Sequence, residues 1–142
     1  MMEGVFRHRV WAQLEPLLRS STSIDSYLQA ATDVIAELIE VDGSYSLSAS
    51  LYGHHLTVAT SDRAAWEADQ VEFDTQAGPC VEALRDGKVC DVIDLASERR
   101  WPAWTAVASL LGFATAAGIP AQIDPDHRLA LNMYARTTLG VR

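Results

Sequence analysis

Cysteine is scarce in this chain, with only Cys80 and Cys90 among 142 residues. Two thiols cannot make a disulfide framework, and such usage fits a reducing compartment. Long apolar runs are absent too. A membrane span needs roughly 20 apolar residues, and the longest weakly polar stretch, 103–121, is interrupted by Gly112, Gly118 and Pro120. The first nine residues already hold Glu3, Arg7 and Arg9, unlike the apolar core of a signal peptide. A cytoplasmic location away from membranes is expected. Basic residues are few: 11 Lys and Arg stand against 19 Asp and Glu, for a net charge of −8. Phosphate neutralisation supplies most affinity for nucleic acid, so direct binding to it is excluded from the expected functions. No Gly-rich phosphate loop, Ser-His-Asp set or H-E-x-x-H motif occurs. His54, His55 and His127 have no ligand-like spacing and read as solvated turn residues, so neither a metal nor a cofactor is expected.

What is present is ordinary globular material, 49% hydrophobic and 21% charged, at the size of one domain. Phe6, Val10, Leu14, Leu17 and Leu18 form a helical stripe over residues 3–19 that Pro16 should break or kink. Ser20 to Ser23 reads as a linker offering N-cap hydroxyls. Ile24, Tyr27, Leu28, Ala31, Val34, Ile35, Leu38 and Ile39 then repeat at helical spacing, the clearest amphipathic helix in the chain. From Ser44 the period falls to two, with Tyr45, Leu47, Ala49 and Leu51 alternating with serines as a half-buried strand. Gly53-His54 turns the chain into a second strand, 56–60. A capped helix over 63–69, a loop, and a short helix from Gly78-Pro79-Cys80 to Arg85 follow. Next come a strand over 88–93, a helix opened by Trp101-Pro102, and strands 113–123 and 128–135 joined at Asp124-Pro125-Asp126. This order implies an α+β fold, an antiparallel sheet with helices on its faces.

The segments Ala77-Gly78-Pro79-Cys80-Val81-Glu82-Ala83-Leu84, Val89 to Leu95 and Arg100-Trp101-Pro102 resemble the second half of a GAF domain. Leu111-Gly112-Phe113 and Leu129 to Ala135 continue the match. It is most similar to the GAF modules of actinobacterial GAF–ANTAR antitermination regulators and covers about 23–135. The resemblance implies a GAF/PAS-like sheet of about six strands, residues 1–22 forming an N-terminal helical extension and 23–142 the GAF-like domain. The family's C-terminal helix is expected to be truncated or absent, and the RNA-binding ANTAR helices are missing from these residues.

For function the resemblance implies a non-catalytic sensory or regulatory domain, which binds an unidentified small molecule, homodimerises through its N-terminal helices, or does both. Candidate pocket residues are Trp66, Phe73, Cys80, Trp101, Trp104 and Phe113, with plain core packing as the competing reading for the aromatics. Cys80, at the start of a helix, is a redox-switch candidate or a small buried apolar residue. A degenerate GAF that only supports assembly is a further alternative. GAF-type reductases of free methionine sulfoxide resemble the stretch 78–94, but they need a further nucleophilic cysteine, and 95–104 holds none. No enzymatic activity is therefore expected.

Overall fold

A computed structural model describes residues 2–39 and 42–137; of residues 2–7, 10 and 11 only the helical backbone is described, so Phe6, Val10 and Trp11 lie outside the described side chains. Helices α1 (Met2–Ser20) and α2 (Ile24–Leu38) precede the hairpin β1 (Gly43–Leu51) and β2 (His54–Thr60). Then come α3 (Arg63–Thr75), α4 (Pro79–Asp86), β3 (Cys90–Val92), a 3-10 turn at Leu95–Ser97, α5 (Pro102–Leu110), β4 (Thr115–Asp124) and β5 (His127–Ala135). The α+β class stands. Among the described residues the antiparallel sheet has five strands, close to the expected six or so, in the order β2-β1-β5-β4-β3.

Three local expectations change. Pro16 does not end α1, which runs through it to Ser20; the ring removes one hydrogen bond from the ladder without terminating it. The linker therefore shrinks to Ser21–Ser23, with Ser23 accepting from the Ser26 N–H at 3.1 Å. Helix α3 continues six residues past its expected end at Asp69, to Thr75, because Asp69 and Glu72 face inward with Ala65 and Ala68. Their polarity disguises a helix face that is wholly buried.

The serines of β1 are the third change. A strand alternating apolar and serine residues normally turns the serines to water. Here Ser44, Ser46 and Ser48 are fully buried, while Tyr45 and Ala49, on the opposite face, are buried as well. The strand lies centrally, paired with β2 on one side and β5 on the other, and both of its faces are covered. Helix α2 covers the outer face at β1 and β2, whereas α3, α4 and α5 pack on the inner face. The main core, on that inner side, joins Trp104, Phe113, Tyr134, Val92 and Leu95 to Ala65 and Ala68.

Candidate functional site

The inner face holds an unusual set of buried polar groups. Asp62 caps α3, accepting from the Ala65 N–H at 3.0 Å, and so fixes the face that aims Asp69 and Glu72 at the sheet. From β5, Asn132 and Tyr134 point at the same space, and Ser46 and Ser48 reach it from β1. Asp69 accepts from Thr57 Oγ1 at 2.7 Å, Ser48 Oγ at 3.2 Å and Asn132 Nδ2 at 3.3 Å. Glu72 Oε1 accepts the backbone N–H groups of Cys80 at 2.8 Å and Val81 at 3.2 Å, the opening turn of α4. A carboxyl so placed supplies the cap that Gly78 lacks. Gly78 adopts φ +141, and a Cβ there would overlap the Glu72 carboxyl, so the glycine serves both the turn and the approach.

Tyr134 joins the two acids. Its hydroxyl lies 2.5 Å from Asp69 Oδ1 and 3.1 Å from Glu72 Oε2. A hydroxyl owns one proton and can donate to only one of them. The other contact needs a proton on a carboxyl. Glu72 is the better holder: burial, then the charge of Asp69, pushes its pKa well above the ordinary range. Burial also raises Asp69, but four side-chain hydrogen bonds hold its anion back down. The arrangement is a proton chain in which Glu72 donates to Tyr134 and Tyr134 donates to Asp69. Thr57, Ser48 and Asn132 surround the Asp69 carboxyl with further donors.

Cys80 abuts this cluster at 1% exposure. Burial, then the charges of Glu72 and Asp69, pushes its thiol well up. The dipole at the start of α4, which favours a thiolate, is already answered by Glu72. Cys90, half-buried in β3, is pushed up to about 11, chiefly by burial. Neither environment generates a nucleophile at neutral pH.

The other sequence candidates divide between two clusters. Trp104 and Phe113 sit in the main core, Phe113 stacked on Tyr134 at 5.1 Å, with Trp101 against Trp104 at 6.0 Å. Phe73 and Cys80 pack with Leu84 and Ala130. Trp66 stands apart on the outer turn of α3, 42% exposed, with Arg63 over its ring. The R-W-P segment stitches the loop to the sheet. Arg100 stacks on Trp101 at 4.3 Å, pairs with Glu98 and donates to the Asp91 carbonyl at 3.0 Å. Of the histidines read as turn residues, His54 and His55 belong to β2, and His55 is half-buried, its ring stacked on Phe73 at 5.5 Å. The tight turn before it is formed by Tyr52 and Gly53, both at positive φ.

Sequence reasoning missed Asp69, Glu72, Asn132 and Tyr134 as a unit. The one available signal was the spacing Ala65, Ala68, Asp69, Glu72, which continues a helix face with acids in place of aliphatics.

The antiparallel sheet with helices on both faces has the fold of GAF domains. No protein-family model and no curated protein matches the sequence. Among solved structures, the chain is similar to the GAF domain of an Acinetobacter phosphoenolpyruvate-protein phosphotransferase. The identity is 13% and the TM-score 0.67, over 100% of this chain and 82% of that one. It is also similar to the phycocyanobilin-bound GAF domain of a cyanobacterial phytochrome, at 14% identity and TM-score 0.63, covering 95% and 82%. The type II free methionine-R-sulfoxide reductase from Thermoplasma acidophilum matches at 14% and 0.62, covering 83% and 78%. Identities this low establish the fold alone.

Proposed function

We propose that this chain is a non-catalytic regulatory domain that responds to a small molecule, as the GAF–ANTAR resemblance implies, and that it works as a homodimer paired through the outer sheet face. One observation carries the dimer. Helix α2 covers only the β1–β2 half of the outer sheet face, and the other half is bare among the described residues. Ile93, Ile119 and Ile123 are 62%, 39% and 69% exposed there, beside a groove of about 190 Å³ lined by Tyr45, Ala117 and Met133. Contiguous apolar surface of this kind marks an interaction site, and a two-fold pair buries the same patch twice. Leu18 and Ile24 are exposed as well, where α1 meets α2.

The non-catalytic reading is supported by the sealing of the acidic cluster. Asp69 and Glu72 have no exposed surface, so no substrate reaches their oxygens. The redox alternative through Cys80 is disfavoured by the protonated, enclosed thiol. Size-exclusion chromatography with light scattering tests the assembly. A dimer is expected for the natural chain and a folded monomer for Ile119→Lys; a natural chain that stays monomeric at high concentration overturns the proposal.

A further inference from the structure

A second cavity lies beside α4, and one of its lining residues, Val81, also donates its backbone N–H to Glu72 at 3.2 Å. It has a volume of about 290 Å³ and opens between the Tyr52-Gly53 turn, the start and end of α4, and the β4–β5 turn. Its floor is apolar, built by Val81 and Leu84. Its walls are rich in donors: Arg85, Arg128, His55 and Ser50. The one acid on the lining is Asp126.

Arg128 is held rigidly there. Its Nη1 donates to the carbonyls of Leu84 at 2.8 Å and Arg85 at 2.9 Å, the last turn of α4. Its Nε, by contrast, is buried with no hydrogen-bond partner among the described residues, and so is Nδ1 of His55. Buried polar atoms without partners are uncommon and costly, and here two belong to residues that line one cavity. Arg85, exposed on the last turn of α4, makes no ion pair among the described residues. Its charge is close enough to His55 to add to burial in lowering the pKa of that imidazole. Two guanidinium groups, one of them fixed, thus face a small cavity with a greasy floor.

We propose that this cavity binds a small organic anion, a single carboxylate or phosphate group carried on a compact apolar body. The anionic oxygens meet Arg128 and Arg85, for which the planar guanidinium fork is suited, and the body rests on Val81 and Leu84. The cavity is small and open to solvent on one side, which limits the ligand to a compact body. The inference rests on the ligand-responsive part of the function proposed above and identifies the chemistry that it would read.

The full chain is titrated with inorganic phosphate, phenyl phosphate and benzoate while backbone amide shifts are followed by NMR, with sodium chloride at equal ionic strength as the control. Saturable shifts at Ser50, Gly53 and His55 are expected for phenyl phosphate, benzoate or both, and which of them binds separates a phosphate from a carboxylate ligand. Arg85→Gln, exposed and unbonded, is expected to keep the fold and weaken binding about tenfold or more. Arg128→Gln is expected to abolish it. Shifts that rise linearly with all salts, or an affinity unchanged by Arg85→Gln, overturn the proposal. Light scattering on the same samples separates the two readings. Saturable binding by a monomer sinks the dimer and leaves the anion site; a dimer without saturable binding does the reverse.

Discussion

The buried pair Glu72 and Asp69, joined by Tyr134, makes folding depend on pH, most strongly through Glu72. Glu72 ionises near 4.5 in an open chain and well above that in the fold, for reasons of burial first and the charge of Asp69 second. A carboxyl whose folded pKa is raised gives its full stability below the unfolded value, and that stability is lost as pH rises through the folded one. The loss amounts to at most about 1.4 kcal/mol per pH unit for one proton. Denaturant unfolding of the domain is therefore expected to show falling stability from pH 5 upward. In Glu72→Gln the amide carbonyl still accepts from Cys80 and Val81, and its NH₂ still donates to Tyr134. The variant is expected to fold and to lose most of that slope; an unchanged slope would place the proton elsewhere. Glu72→Ala strands two N–H groups and a hydroxyl, at a cost of about 3 kcal/mol or more. The thiols follow the same logic. With Ellman's reagent at neutral pH, Cys90 is expected to react slowly and Cys80 only when the chain unfolds. Rapid native labelling of Cys80 would restore the redox reading.

Helix α4 is the element on which the inner face depends, since it brings Cys80 and Leu84 against the sheet and carries Arg85 to the second cavity. It lies unusually close to β4. A Cβ on Gly118 would stand 2.8 Å from the Pro79 carbonyl oxygen and 3.1 Å from the Ala83 Cβ. The opposing atom at the shorter distance is backbone, which cannot swing aside. Gly118→Ala is accordingly expected to destabilise the domain by about 1–3 kcal/mol, as overpacking does, measured as a lowered denaturation midpoint with unchanged secondary structure. At this scale the sequence was readable wherever polarity followed burial. The apolar stripe of α2, the Gly-Pro opening of α4 and the Trp-Pro opening of α5 each announced an element correctly. It misled where polar residues were interior. The serines of β1 implied a wet face because serine usually seeks water, yet their partners Asp62, Asp69 and Asn132 lie on other elements, invisible to local pattern. The second half of α3 was hidden for the same reason. For the aromatics the sequence left pocket and core packing open, and Trp104 and Phe113 fill the core around Tyr134.

For the molecule as a whole, the bare half of the outer sheet face and the acidic charge pull in opposite directions. Each copy carries a net charge of −8, so pairing brings two acidic bodies together, while the contact itself buries isoleucine and methionine. Salt weakens the repulsion, with a screening length of about 10 Å at 0.1 M, and leaves apolar burial largely intact. The dimer is therefore expected to tighten as sodium chloride is raised from low to moderate concentration, opposite to an interface built from ion pairs. Coupling of assembly to folding adds a second signature: the thermal midpoint should rise with protein concentration, because the partner copy binds only the folded state. Ile119→Lys removes apolar contact at the centre of the patch and leaves the inner core untouched. Its midpoint is expected to be independent of both protein and salt-driven association. Sedimentation equilibrium across a salt series checks the argument directly, and a dimer that dissociates with added salt would show that charge, not the exposed sheet face, holds the two copies together.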